Sequence, residues 1–270
     1  MALKAVVPHY TVVEAVAMSL ARHWLKTSEA FMIETAGLEH CLSFINCQLR
    51  DGGKSGASAQ GGVRRAVTIS RQAGCGALVV AEKLAHYLQE HSSKDACPWT
   101  VFDRNLMDKV LEDHNLPVRL AKFMPEDSAS EIENILADVF EVHPPAETML
   151  HQTAESVLKL ATLGNVILIG RGSTVITARL PHVFHVRLVA PLEKRIVHAH
   201  QFYHTYNKTM ADARKFCLAE DHGRERYLKK YFNADTNDPL LYHMIINTGL
   251  VSYDDAAKLI GDAVLNLKPG

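Results

Sequence analysis

From Ala66 onward, short apolar runs alternate with longer amphipathic stretches, and this alternation narrows the fold more than any other feature. Ala66 to Ser70 (AVTIS), Trp99 to Phe102 (WTVF), Asn165 to Gly170 (NVILIG), Val183 to Val189 (VFHVRLV) and His243 to Asn247 (HMIIN) read as five strands. Their length and apolar content fit buried strands better than helices. Between them, Val80, Leu84, Tyr87 and Leu88 fall on one helix face, and helical patterns recur near 105–114, 129–141, 146–163, 191–218 and 253–266. Strands alternating with helices require a mostly parallel sheet covered on both sides, an α/β architecture. Right-handed crossovers gather the strand C-termini, and any ligand crevice, along one edge.

Ahead of this block lies a different composition. Residues 51–62 (DGGKSGASAQGG) hold five glycines and no apolar residue larger than alanine, which predicts a flexible linker. Val12 to Lys26 and Leu38 to Leu49 look helical, so residues 1–50 read as a helical extension and 63–270 as the main domain. The apolar faces of that extension suit either pairing with a second subunit or packing on the chain's own core. Val12 to Leu20 is apolar, but Arg22, His23 and Lys26 follow it and no basic residues crowd its start. It reads as an amphipathic helix rather than a signal peptide. No run approaches the ~18 to 20 apolar residues that cross a bilayer, so no membrane association is expected.

A net charge of -1 argues against a nucleic-acid polymer as partner, since such binding leans on a broad positive surface. The five cysteines (Cys41, Cys47, Cys75, Cys97, Cys217) contain no CxxC pair, which predicts reduced thiols and a cytoplasmic setting. His198, His200 and His204 share a predicted helix, but no Glu or Cys at matching spacing completes a site, so no resident protein-bound metal is expected.

The stretch AVTISRQAGCGALVVAEKLA is strand, glycine turn, helix. Glycines let a backbone curl there so that amides at the helix N-terminus face an anion. Relative to the pattern GxxxxGK[ST], Arg71 stands at the first glycine, Ala77 at the lysine and Leu78 at the Ser/Thr. The local pattern alone fits both a phosphate loop at Gly74-Cys75-Gly76 and an ordinary strand-to-helix turn. Arg71 could supply the positive charge that Ala77 lacks. The helix N-terminus would lower the Cys75 pKa, while a small side chain fitting a tight loop is the simpler account of that residue.

Five segments in order resemble the cytidylate-kinase-like family. TISRQAGCGALVVAEKLA is similar to its TISRxxGSGGRxIAxxLA, VFDRNLMDKV to its FYDxxLI, and VILIGRGS to its VIVGRGA. VFHVRLVAPLEKRI resembles its next strand and helix start, and DHGRERYLKKYFNADTNDPLLYHMIINT its DxxRxxYxxxYF…DPxxYDLVINT. The resemblance runs in register from about Val67 to Ile260. It implies a P-loop NTPase fold of the nucleoside-monophosphate-kinase type: a five-stranded parallel sheet, a phosphate loop and a helical lid over roughly 195–230. The implied activity is transfer of a phosphoryl group from ATP, with Mg2+, to a nucleoside monophosphate or similar small acceptor.

The resemblance also implies roles. Arg71, Gly74, Cys75 and Gly76 would hold the donor phosphates. Asp103 would bind the acceptor, although it could equally cap the helix predicted after it. Arg171 would grip the acceptor phosphate, and Arg187 would face the same crevice or pack in the sheet. Arg195, Arg214, Asp221 and Arg224 would belong to the catalytic lid, against the bland alternative of a solvated basic face. Two departures matter. Ala77-Leu78 replaces the family's Gly-Arg after the loop, and Gly172 replaces the acid of a Gly-Arg-Asp strand end. They favour an alternative, a catalytically weak nucleotide-binding protein with its N-terminal helices used for assembly or signalling.

Overall fold

In the computed structural model of the chain, the structure describes residues 43, 44, 47, 64–93, 96–103, 126–140, 148–202 and 209–267. The helix expected near 105–114, the linker and nearly all of the N-terminal extension lie outside the described residues. The chain divides into two compact units, Met1–Leu42 and Ser43–Gly270.

Five parallel strands form one sheet: β1 (Ala66–Arg71), β2 (Thr100–Phe102), β3 (Val166–Ile169), β4 (Val183–Val189) and β5 (Met244–Asn247), in the order β2-β3-β1-β4-β5. β1 is central, with Ala66 level with Val166 on one side and Val183 on the other. Its residues alternate between two buried faces. Val67 and Ile69 join a core with α1 (Ala77–Glu90) and α7 (Tyr253–Leu265), where Val80, Leu84, Leu88, Ile260 and Val264 are buried. That spacing is the helix face read from the sequence. α3 (Thr148–Leu163) and the short α4 (Ser173–Ile176) contact β1 from elsewhere in the fold, and α2 (Glu126–Phe140) packs on α3.

The helix expected over 191–218 is two helices, α5 (Leu192–Phe202) and α6 (Met210–Phe232). α6 starts anew at Thr209, whose hydroxyl accepts from the Asp212 N–H while the Asp212 carboxylate accepts from the Thr209 N–H. This reciprocal pair stabilises a fresh N-terminus. α6 ends at Asn233, which adopts a left-handed conformation at φ 50°.

The expectation of reduced thiols is corrected at one pair. Cys47 and Cys97 are joined in a disulfide across 50 residues of sequence. Phe44 is fully buried edge-on to Phe102 of β2, and this anchoring brings Cys47 beside the segment that leads into β2. Long-range pairing of this kind leaves no spacing signal. Cys75 and Cys217 are free and buried.

A polar chain crosses the sheet interior. Thr68 Oγ1 lies 2.8 Å from His185 Nδ1 and 3.2 Å from Thr174 Oγ1. The His185 N–H donates to His243 Nδ1, and the two rings stack. Burial, reinforced by the neighbouring His243, pushes the His185 pKa down to about 4. Between pH 6.5 and about 4 the unfolded chain therefore binds a proton that the folded one refuses, so stability falls as pH drops through that window. The expected loss is on the order of 3 kcal/mol by pH 4. Urea titrations at pH 7.5, 5.5 and 4.5 should show a shallower decline in His185→Asn than in wild type; equal slopes would remove His185 as the cause.

Candidate functional site

The C-terminal ends of β1, β3 and β4 open into a cleft of about 320 Å³ that α6 covers. Its walls are Ser70 to Gln72, Gly170 to Thr174, Arg187, one side of α6 from Glu220 to Leu228, Thr236 and Tyr242. Parallel topology is what brings these segments together: residues leaving each strand emerge on the same edge.

Four arginines line it. Arg71 follows Ser70 at the end of β1, and its guanidinium lies against Gly170 at the end of β3. Arg171 holds a left-handed conformation at φ 55°, between Gly170 and Gly172. Arg187 is level with Ser70 across the β1–β4 pair and donates to Ser70 Oγ at 2.9 Å and to Asn237 Oδ1 at 3.2 Å. Arg224 enters from α6, one turn beyond Glu220 and Asp221, and bonds both carboxylates at 2.8 and 3.2 Å.

Asp221 has a different set of partners. One carboxylate oxygen accepts the Ala73 N–H at 2.6 Å, and the other accepts Arg195 Nη1 at 2.6 Å. Arg195 is only 6% exposed, and it also donates to the carbonyls of Ala190 at 2.9 Å and Ala73 at 3.1 Å. Asp221 and Arg195 thus join α6, α5 and the glycine turn. Around them Ala73, Ile196, Ala199, Ala213 and Cys217 form a small apolar core.

The turn itself is built as its glycines predict. Gly74 and Gly76 both sit at φ 79°, where an L side chain is strained. Gly76 is buried, and a Cβ there would run into the Tyr253 ring. The Cys75 carbonyl accepts from Thr248 Oγ1 at 2.9 Å. The expected lowering of the Cys75 pKa is corrected: burial pushes the thiol up to about 11, and the charges of Arg71, Arg224 and Arg195 offset only part of that. Desolvation of the thiolate outweighs the helix end.

Of the residues singled out in the sequence, Arg71, Arg171, Arg187, Asp221 and Arg224 line one cleft. Gly74, Cys75 and Gly76 lie next to it in the turn and are not in its wall. Asp103 is half-buried just after β2, one strand beyond β3 on the same edge, and does not line the cleft. Arg214 pairs with Glu193 at the surface, away from the cleft. Sequence reasoning passes over Ser70, Ser173, Thr236 and Tyr242. The only signals among them are the serine of the TISR segment and the tyrosine of the DPLLYHMIINT segment.

Two of these bear on what the cleft can hold. Ser173 Oγ and Thr236 Oγ1 are buried in its wall without a hydrogen-bond partner. Buried hydroxyls in that state are uncommon in native structures and fit a ligand rich in oxygen. With the four guanidiniums, they fit a phosphate-bearing molecule. For magnesium the side chains offer less. Leu78 occupies the loop position of the usual hydroxyl ligand, and among the described residues no group of three or more His, Cys, Asp or Glu side chains could hold a metal ion.

A glycine turn between the central strand and its helix, in a β2-β3-β1-β4-β5 parallel sheet with arginines at the strand ends, defines a P-loop kinase fold. The chain belongs to the cytidylate kinase-like family, whose sequence model matches residues 66–250. Among solved structures it is similar to an uncharacterized protein from Eubacterium ventriosum, at 17% identity over 74% of this chain and 98% of that one, with a TM-score of 0.49. It is similar also to shikimate kinase from Bacteroides thetaiotaomicron, at 10% identity over the same shares, with a TM-score of 0.42. A segment of 112 residues, 42% of the chain, is 27% identical to part of uronate isomerase from Corynebacterium glutamicum and spans 21% of that protein. The family supports a nucleotide-kinase-like function. No helix among the described residues is long and apolar enough to cross a membrane.

Proposed function

We propose that the chain is an ATP-dependent phosphotransferase that moves a phosphoryl group to a nucleoside monophosphate, or a similarly small acceptor, held in the arginine cleft. The observation that carries this reading is the convergence of Arg71, Arg171, Arg187 and Arg224 on one cleft with two unpartnered buried hydroxyls. Phosphoryl transfer needs reactants held in line and positive charge around the transferring group more than it needs covalent help. In this reading Arg171 and Arg187 bind the acceptor, Arg71 and the Gly74-Cys75-Gly76 turn take the donor phosphates, and Arg224 supplies charge from the α5–α6 lid. Asp221 and Arg195 hold that lid to the loop. Among the described residues no group of three or more His, Cys, Asp or Glu side chains could hold magnesium, so the metal would be bound chiefly through the nucleotide's own phosphates.

A second reading, nucleotide binding with little turnover, is favoured by one specific feature. Tyr253 closes over Gly76, beside the apolar Ala77 and Leu78, where a catalytic loop would carry its lysine. Calorimetric titration with ATP and with CMP, followed by transfer assays over a panel of monophosphates, separates the two. Binding without turnover would sink the kinase reading. If turnover is found, Arg224→Ala should lower kcat on the order of 10³-fold with a much smaller change in KM. A loss confined to KM would place Arg224 in ground-state binding.

A further inference from the structure

Arg187 differs from Arg195 and Arg224 in how its charge is compensated. It is 6% exposed, and its hydrogen bonds go to Ser70 Oγ, Asn237 Oδ1 and, at 3.5 Å, the Tyr242 hydroxyl, all of them neutral oxygens. Its guanidinium also stands over the Tyr242 ring, 5.6 Å from the centroid. No carboxylate lies within ion-pair distance of it among the described residues, whereas Asp221 neutralises Arg195 and shares Arg224 with Glu220. A buried cation without a counter-charge is costly, and it persists where a ligand brings the charge. Tyr242 fixes the arrangement by donating to the Thr236 carbonyl at 2.9 Å, while Thr236 Oγ1, on the same residue, is buried and unpartnered. Arg187 and Thr236 both line the cleft, and the guanidinium has five N–H groups, more than its three neutral partners use.

We infer that Arg187, Thr236 and Tyr242 form a phosphate subsite at the end of β4, which takes the terminal phosphate of a phosphomonoester ligand. Arg187 supplies the charge, Thr236 a hydroxyl donor, and Tyr242 positions both. This rests on reading the cleft as a phosphate site, but it does not require turnover. A dianionic phosphate is the preferred occupant over a carboxylate because it has enough acceptor oxygens for Arg187, Thr236 and the neighbouring arginines at once.

Thermal melts of the full chain in increasing inorganic phosphate, against acetate at matched ionic strength, test it. Phosphate should raise the wild-type melting temperature well beyond acetate. Arg187→Met should bind phosphate on the order of 100-fold more weakly and, without anion, melt no lower than wild type, because an uncompensated buried charge has gone. Tyr242→Phe, which keeps the cation, should weaken phosphate by about 3- to 10-fold. Equal responses of wild type and Arg187→Met, equal effects of acetate and phosphate, or no phosphate effect on wild type would each overturn the subsite. Arg187-dependent phosphate binding without transfer to any monophosphate would leave the subsite standing and remove the kinase reading. Turnover that is indifferent to Arg187→Met would do the reverse.

Discussion

Asp221→Ala is expected to destabilise the protein by about 3–5 kcal/mol, the largest effect of any single side-chain truncation around the cleft. The side chains of Arg195 and Asp221 are 7% and 19% exposed, so removing the carboxylate leaves a largely buried cation without its counter-charge. Arg195 keeps its bonds to the Ala190 and Ala73 carbonyls, which orient it but bring no countercharge. The Ala73 N–H loses its acceptor as well, and an orphaned buried amide costs about 1–3 kcal/mol. The total corresponds to a drop in melting temperature of roughly 10 °C. Asp221→Asn keeps an acceptor for Ala73 but not the charge, and should fall between wild type and alanine. Replacing both partners, as Arg195→Met with Asp221→Leu, should recover much of the loss, because an apolar pair of similar size needs no solvation. A fall of only a degree or two in Asp221→Ala would mean that α6 is held to the glycine turn by the small core around Cys217 alone. Hydrogen exchange would localise the effect, with α5 and α6 losing protection ahead of the sheet.

This pair also marks where sequence reasoning stops. Arg195, Arg214 and Arg224 look alike in a basic run, and all three fit a lid. Burial separates them: Arg195 is enclosed by backbone carbonyls, Arg214 is at the surface, and Arg224 reaches the cleft. The five strands are legible because buried parallel strands are apolar on both faces, and their ends then place Arg71, Arg171 and Arg187 on one edge without further information. The break between α5 and α6 is harder to see. α6 is mostly polar and buries only Ala213 and Cys217, so its start rests on Thr209 and Asp212 rather than on a hydrophobic stripe. Tyr242, Ser173 and Thr236 are single polar residues with no spacing of their own, and only the fold shows that they share a wall. Cys75 misleads for a related reason: its place at a helix N-terminus is visible in the sequence, but the depth of its burial is not.

Two glycine-to-alanine changes, one in the turn beside the cleft and one in α6, should move stability in opposite directions. Gly74 has φ 79°, which costs a residue bearing Cβ roughly 1–2 kcal/mol. A Cβ there would also stand 3.0 Å from the Arg195 carbonyl carbon and closer still to its oxygen. Those are backbone atoms of α5, so relief requires moving the helix rather than turning a side chain, and such overpacking costs about 1–3 kcal/mol more. Gly74→Ala is therefore expected to lose about 2–5 kcal/mol. Gly223 lies within α6 with nothing inside 4 Å of its added Cβ. Alanine there removes the entropy cost of a helical glycine and should gain about 0.5–1 kcal/mol. Guanidinium unfolding of both variants checks the pair, because the slope of the transition shows whether the two-state comparison holds. A neutral Gly74→Ala would mean that the turn can shift away from α5 at little cost. A destabilised Gly223→Ala would require the bare backbone of α6 at that point to be in use, against the cleft that it lines.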